Sequence, residues 1–208
     1  YSGSIRNNKV IMLKIAITGK IGTGKTTVSE IIKSLGYEVF ESDKETRKIL
    51  EKSKIIEKIN LEFGNKVQDL INLENQIDRN KLGEFVFKNK FELRRLENII
   101  HPEIWKNKKN FIKINKKKQI LFFDIPLLFE KNIFMNYDYI IYTKVDFNTR
   151  KKRVLKRKGM TLSKFEQICS NQYELSQIQK KCISLEIDTK LNVNQIEEKL
   201  RDFIGLII

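Results

Sequence analysis

Two cysteines and one histidine in 208 residues exclude several chemistries at once. Cys169 and Cys182 are too few and too oddly placed for a disulfide framework or a zinc site, which points to a reduced, cytoplasmic protein. His101 alone supplies neither a Ser-His-Asp triad nor a multi-histidine metal centre. No apolar run approaches the roughly 18 residues that a membrane span requires, so no membrane partner is expected. Lys9 followed by Val10–Thr18 has the outline of a short signal sequence. A glycine-rich loop follows it instead of a small-residue cleavage site, so a strand is expected there. Internal repeats and low-complexity linkers are missing too. Residues 1–11 read as a remnant or extension ahead of Met12, which is placed as a start, and carry no functional expectation.

Acidic residues are scarce beside basic ones: 26 Asp and Glu against 41 Lys and Arg, a net charge of +15. Such an excess draws anions without saying which. Seven cations lie between Arg150 and Lys158, and seven lysines between Lys106 and Lys118, with no acid in either run. The second run, interleaved with Asn, reads as a solvated face. In the first, Arg150, Arg153 and Arg157 recur at spacings of three and four, which aligns them on one side of a helix. Small-molecule kinases place arginines on a lid that closes over the transferring phosphate, and a plain solvated face is the competing reading. An aromatic-interleaved basic motif is not evident, which argues against a nucleic-acid partner.

What the chain does have is a complete G-x-x-x-x-G-K-[ST] loop, Gly19-Lys20-Ile21-Gly22-Thr23-Gly24-Lys25-Thr26. It follows an apolar run ending at Thr18 and leads into Thr27-Val28-Ser29-Glu30-Ile31-Ile32, which reads as a helix. The glycines let consecutive backbone N–H groups converge on phosphate oxygens, and the helix adds the positive end of its dipole. Gly22, Thr23, Gly24, Lys25, Thr26 and Thr27 are therefore the candidate nucleotide-binding residues. Lys25 would face the β- and γ-phosphates, and the Thr26 hydroxyl would ligate Mg²⁺. The chain is read as binding ATP with Mg²⁺.

At 208 residues, 40% hydrophobic and 32% charged, the chain fits one globular domain from residue 12 to 208. Leu13–Thr18 predicts a central parallel strand, with a helix after Thr26 that Gly36 closes. Tyr37–Phe40 predicts a second strand and Thr46–Lys52 another helix. Lys54–Asn115 is mostly helical, with an apolar stripe at Leu93, Leu96, Ile99, Ile100 and Ile104. Pro102 predicts a kink or break at Ile100-His101. Ile120–Phe123 and Tyr137–Val145 predict strands, Thr149–Lys158 and Thr161–Tyr173 helices, Ile183–Ile187 a last strand and Val193–Ile204 a closing helix. Strands alternating with helices after a P-loop imply the α/β class: a P-loop NTPase with a three-layer, doubly wound parallel sheet, a helical insertion and a helical lid. Ligands in such sheets sit at the carboxyl ends of the strands.

Acids fall at those ends. Ile120-Leu121-Phe122-Phe123-Asp124 has the form of a Walker B strand whose aspartate holds Mg²⁺; a cap on the turn with Pro126 is the lesser alternative. Asp43 follows the second strand. It is placed either to orient an acceptor hydroxyl and take its proton, or to cap a helix beginning near Lys44.

The chain resembles the bacterial dephospho-coenzyme A kinases over nearly everything after Met12. Thr18–Val28 is close to that family's T-G-G-I-G-S-G-K-S-T-V, and Leu35-Gly36-Tyr37-Glu38-Val39-Phe40-Glu41-Ser42-Asp43 to its L-G-x-x-V-I-D-A-D. Asp78–Phe87 is similar to D-R-x-x-L-x-x-x-V-F, Leu93–Pro102 to L-R-R-L-E-x-I-x-H-P, and Asp124–Glu130 to D-V-P-L-L-F-E. The resemblance implies ATP-dependent phosphorylation of the ribose 3′-hydroxyl of dephospho-coenzyme A, a small-molecule substrate. It also implies Asp43 as catalytic carboxylate and Arg157, aided by Arg153, on the transferring phosphoryl group. Substrate binding falls to Arg79, Arg95 and His101 in a helical region of about 55–118, and the lid to about 150–176. A monomer or weak homo-oligomer is expected. Three positions depart from the family: Glu41-Ser42-Asp43 replaces D-A-D, Lys20 replaces a glycine, and Thr189 stands where the pattern A-D-x-V-I-x-N ends in Asn. Another P-loop small-molecule or nucleoside monophosphate kinase, and a nucleic-acid-binding ATPase, remain the alternatives.

Overall fold

The computed structural model describes residues 12–172 and 174–208. Ser42–Ile114 forms one compact unit, and the described residues on either side of it form the other. In chain order the elements begin with β1 (Leu13–Thr18), α1 (Lys25–Ser34) and β2 (Val39–Glu41). The helices α2 (Ser42–Leu50), α3 (Ser53–Phe63), α4 (Arg79–Val86) and α5 (Lys90–Ile114) follow. Then come β3 (Ile120–Asp124), β4 (Tyr139–Lys144), α6 (Phe147–Leu155), α7 (Leu162–Asn171), α8 (Gln177–Lys181), β5 (Leu185–Asp188) and α9 (Val193–Ile207).

The five strands form a parallel sheet in the order β2-β3-β1-β4-β5. Burial on both faces explains why β1 and β3 are nearly continuous apolar runs. On one face Ile15, Ile17, Phe122, Ile141 and Ile187 pack against Val28, Ile31 and Ile32 of α1 and against Ile196, Leu200, Phe203 and Ile204 of α9. Strand alternation turns Phe123 the other way, where its ring meets those of Phe40 and Tyr137. Asp124 lies opposite both Ile17 and Glu41 in register, so β1, β2 and β3 finish level at the edge where the loop of residues 19–24 begins. α1 closes with paired bonds from Gly36 N–H to the Lys33 carbonyl and from Tyr37 N–H to the Ile32 carbonyl, as the glycine predicted.

The unit Ser42–Ile114 is helical around its own core of Ile49, Ile55, Ile59, Phe63, Leu82, Val86 and Ile100. Asp78 caps α4, accepting from Asn80 N–H and Lys81 N–H at 3.0 Å each. Of the kink or break expected at Pro102, the break does not occur: α5 continues for 25 residues with the proline inside it. An interior proline costs about 3 kcal/mol. Against that, Leu93, Leu96, Ile99, Ile100 and Ile104 pack on the core from both sides of the proline. Each is worth up to about 1.5–3 kcal/mol when fully buried, so packing wins.

Other boundaries move for similar reasons. The helix expected at Thr46–Lys52 begins at Ser42, directly after β2, and stops at Leu50. The basic helix expected to reach Lys158 ends at Leu155, and residues 155–159 are exposed, with nothing apolar beyond Leu155 to bury. The short helix α8 was not expected; a reciprocal Ser176–Gln179 capping box starts it.

Candidate active site

Between β1 and α1 the backbone is shaped by two glycines in the left-handed region, Gly22 (φ 77°) and Gly24 (φ 87°). Space requires them as well. A Cβ on Gly22 would lie 2.6 Å from Val154 Cγ2, and one on Gly24 3.0 Å from Thr189. The loop is thus packed directly under α6 and the β5–α9 connection. Hydroxyls lock it from within: Thr23 Oγ1 donates to the Lys20 carbonyl at 2.7 Å and lies 2.7 Å from Thr143 Oγ1. Thr143 in turn is 3.2 Å from the Thr18 carbonyl, and both threonines are buried. Lys25 Nζ reaches back over the loop to the carbonyls of Gly19 (2.8 Å) and Lys20 (3.3 Å), which holds its charge at the loop. No side chain caps α1 at Gly24 and no acid lies in its first turn, so the helix presents the positive end of its dipole there. Thr26 and Thr27 are exposed in that first turn. Backbone N–H groups at a helix start with this geometry are suited to bind an anion such as phosphate.

Asp124 ends β3 with its Oδ2 3.4 Å from Ser29 Oγ, a buried serine one turn into α1. Its carboxylate therefore faces the P-loop helix. Glu41 is committed elsewhere: its carboxylate pairs with Lys33, which also meets Glu30. Burial alone would lower the Lys33 pKa, but the hydrogen bonds to Glu41 and Glu30 outweigh it and the net shift is upward. Asp43 is exposed as the second residue of α2. Because α2 starts at Ser42, Asp43 is not the cap of a helix beginning near Lys44.

The three arginines of the basic run separate. Arg150 is buried, with Nη2 3.2 Å from Cys169 Sγ and its guanidinium 5.7 Å from the Phe147 ring centre. Arg153 donates from Nη1 to Thr189 Oγ1 at 2.7 Å and from Nη2 to the Thr189 carbonyl at 2.8 Å. Arg157 lies past the end of α6, exposed, in a turn made by the bonds from Arg157 N–H to Val154 and from Met160 N–H to Arg157. After α7, Gln172 Oε1 accepts from Ile21 N–H at 3.0 Å, and Glu174 pairs with Lys20, whose hydrogen bond lowers the Glu174 pKa. Lys20, the residue that replaces a glycine, thus ties the P-loop to the chain beyond α7.

In the helical unit, Arg79 is the first residue of α4 and lines a cleft of about 340 Å³ with Leu50, Glu51, Ile56, Gln76 and Ile77. Arg95 pairs with Glu62 and lies 5.6 Å from the centre of the Phe91 ring. His101 stands 3.8 Å from Glu97, one turn earlier on α5. Arg79, Arg95 and His101 each have a separate local setting.

Residues 13–190 match the family model for dephospho-CoA kinase. The chain belongs to the dephospho-CoA kinase family. Relatives agree along nearly its whole length. A dephospho-CoA kinase from Fusobacterium nucleatum is 34% identical over 192 residues, 91% of this chain and 95% of that protein. One from Buchnera aphidicola is 38% identical over 191 residues, 91% and 87% of the two chains. Among solved structures, a dephospho-CoA kinase from Campylobacter jejuni superposes with a TM-score of 0.61 at 26% identity, covering 93% and 96%. TT1252 from Thermus thermophilus has the same fold, with a TM-score of 0.77 at 24% identity, covering 95% and 99%.

For a dephospho-CoA kinase the P-loop was legible from spacing alone. Thr143, Thr189, Ser29 and Gln172 were not singled out as site residues. Threonine and serine carry no motif signal, and Thr143 and Thr189 bond to Thr23 across 120 and 166 residues of chain. The one available hint was Thr189 standing where the family pattern has Asn.

Proposed function

We propose the following division of labour for the family's reaction in this chain. The reaction is phosphorylation of dephospho-CoA by ATP, the final step of coenzyme A biosynthesis, with the ribose 3′-hydroxyl as acceptor. The backbone of Gly22, Thr23, Gly24, Lys25, Thr26 and Thr27, with the Lys25 ammonium, holds the phosphates of ATP. The single observation carrying this reading is the cradle itself, left-handed at Gly22 and Gly24, buttressed by buried threonines and crossed by Lys25.

Asp43 orients the acceptor hydroxyl and takes its proton. Support comes from its place two residues beyond the end of β2 and from the engagement of Glu41 with Lys33, which leaves Asp43 as the acid of that stretch without a close cation partner among the described residues. Arg157 meets negative charge on the transferring phosphoryl group, with Arg153 helping to hold the nucleotide. Arg79, Arg95 and His101 contact dephospho-CoA.

Mg²⁺ fits the residues present. No group of three or more His, Cys, Asp or Glu among the described residues forms a metal cage. Magnesium is commonly held by one or two protein oxygens together with substrate phosphates. The Thr26 hydroxyl and the Asp124 carboxylate are hard oxygen donors of that kind, and bound magnesium would neutralise phosphate charge there. We place the protein in the cytoplasm, as a monomer or weak homo-oligomer without a nucleic-acid partner; no helix among the described residues is long and apolar enough to cross a membrane.

An acceptor screen tests the reading. With ATP and Mg²⁺, the protein should convert dephospho-CoA to coenzyme A and leave AMP, CMP and UMP untouched. Turnover of a nucleoside monophosphate without turnover of dephospho-CoA would assign it to a different kinase activity.

A further inference from the structure

Thr189 is buried, and each of its polar atoms has a partner. Its N–H donates to the Lys144 carbonyl at 3.0 Å, and its carbonyl accepts from Arg153 Nη2 at 2.8 Å. Its hydroxyl accepts from Arg153 Nη1 at 2.7 Å and donates to the Thr23 carbonyl at 2.8 Å. The direction of both hydroxyl bonds is fixed by chemistry. A guanidinium can only donate and a carbonyl can only accept, so the single hydroxyl proton must point to Thr23.

That bond reaches the phosphate cradle through one peptide plane. The Thr23–Gly24 peptide is trans, so its carbonyl and the Gly24 N–H point in opposite directions. Anchoring the carbonyl toward Thr189 therefore sets the direction of the Gly24 N–H, one of the cradle's donors. The Thr23 side chain is pinned separately by Lys20 and Thr143, which leaves this peptide little freedom to rotate. On its other side the same hydroxyl grips Arg153, whose charge meets no carboxylate among the described residues. Removing this oxygen would release both the donor and the cation.

We propose that Thr189 is a positioning residue for the nucleotide: its hydroxyl couples the Gly24 N–H to the Arg153 guanidinium so that both meet the triphosphate as one preset unit. The proposal rests on the reading that ATP phosphates occupy the P-loop. Threonine suits this role because one oxygen both donates and accepts, whereas valine keeps the shape and does neither.

Thr189→Val and Thr189→Ser, with wild type, test it by titration with ATP in a calorimeter and by steady-state kinetics for each substrate. Thr189→Val should weaken ATP binding and raise KM for ATP about tenfold, the scale of a lost hydrogen bond to a charged group. KM for dephospho-CoA should stay within about twofold, and Thr189→Ser should restore ATP affinity to within about threefold of wild type. The ATP affinity lost in Arg153→Ala should shrink when Thr189 is already Val, since contacting partners are non-additive. Unchanged ATP affinity in Thr189→Val overturns the proposal. So does equal damage to both substrates, or failure of folded Thr189→Ser to rescue, either of which makes the residue a packing element. If Thr189→Val does not fold, Thr189→Cys, which keeps the volume with only a weak hydrogen-bonding group, replaces it as the contrast with Ser and is read by the same outcomes. Wild-type protein that binds no ATP would instead refute the P-loop reading.

Discussion

Lys25 and Asp43 each carry one charge, and the two should fail differently when it is removed. The Lys25 ammonium lies 2.8 Å from the Gly19 carbonyl, at the loop where the β- and γ-phosphates would sit. Lys25→Ala should abolish turnover and weaken ATP binding in the same titration, because the cation and its Coulomb attraction leave together. Asp43 is exposed in the first turn of α2, where a carboxylate also interacts favourably with the helix dipole. That surface effect is worth only about 0.3–1 kcal/mol, whereas loss of a general base costs about 10²-fold or more in rate. Asp43→Asn should therefore keep ATP affinity and shift the melting temperature by a few degrees at most, while kcat falls about 10²-fold. Intact turnover with stability lower by about 1 kcal/mol would reduce Asp43 to a favourable charge at a helix start.

α6 shows how an element can be legible in its existence and not in its ends. Its start, expected at Thr149, lies two residues earlier at Phe147, where Asp146 is the cap and its side chain accepts from Thr149 N–H at 3.0 Å. Its end comes earlier too. Lys and Arg are good helix formers, so the run to Lys158 looked helical, yet burial stops at Val154 and the chain turns tightly beyond Leu155. α5 differs in the opposite sense: of the kink or break that Pro102 suggested, packing overrode the break. The parallel strands and the P-loop were legible because they depend on neighbours in sequence. The threonine lock was hidden because it depends on partners far along the chain.

Two predictions belong to α6. Asp146 is held well below the usual carboxylate range, chiefly by its hydrogen bond to Lys190 (2.8 Å) and then by Thr149. A carboxyl whose folded pKa lies below its unfolded value of about 3.9 contributes fully above that value and loses the contribution as pH falls toward the folded one. Asp146→Asn retains a capping side chain but no charge, so its melting temperature should fall less than wild type's between about pH 5 and pH 3. Parallel declines would mean the Asp146–Lys190 pair adds nothing to stability. Arg157, just past α6, is the second case. A guanidinium grips phosphate oxygens in a two-pronged way that an ammonium cannot, so Arg157→Lys should cost nearly as much turnover as Arg157→Ala. The loss should be on the order of 10³-fold with little change in melting temperature, while Lys151→Ala on the same segment changes almost nothing. Equally mild alanine variants would make the run a solvated face.

At the scale of the whole molecule the dominant fact is a net charge of +15, and the question is which anion it serves. A dephospho-CoA kinase must collect two phosphate-bearing small molecules, and a general positive field raises the encounter rate with both. A nucleic-acid-binding protein would use the same charge differently, by displacing counterions from a regular phosphate backbone. Salt separates the two. Raising ionic strength from about 0.01 M to about 0.1 M shortens the screening length from about 30 Å to about 10 Å, which removes the distant field but leaves close contacts largely intact. At saturating ATP and fixed free Mg²⁺, kcat/KM for dephospho-CoA should fall severalfold across that range, with kcat nearly constant because close contacts are screened least. A short DNA duplex at about 0.1 M salt should leave turnover unchanged, because the arginines at Arg150 and Arg153 are engaged by Cys169 and Thr189 rather than arrayed for a backbone. Tight duplex binding whose logarithm falls linearly with the logarithm of salt would show that the lysines between Lys106 and Lys118 form a second, working surface rather than a solvated one.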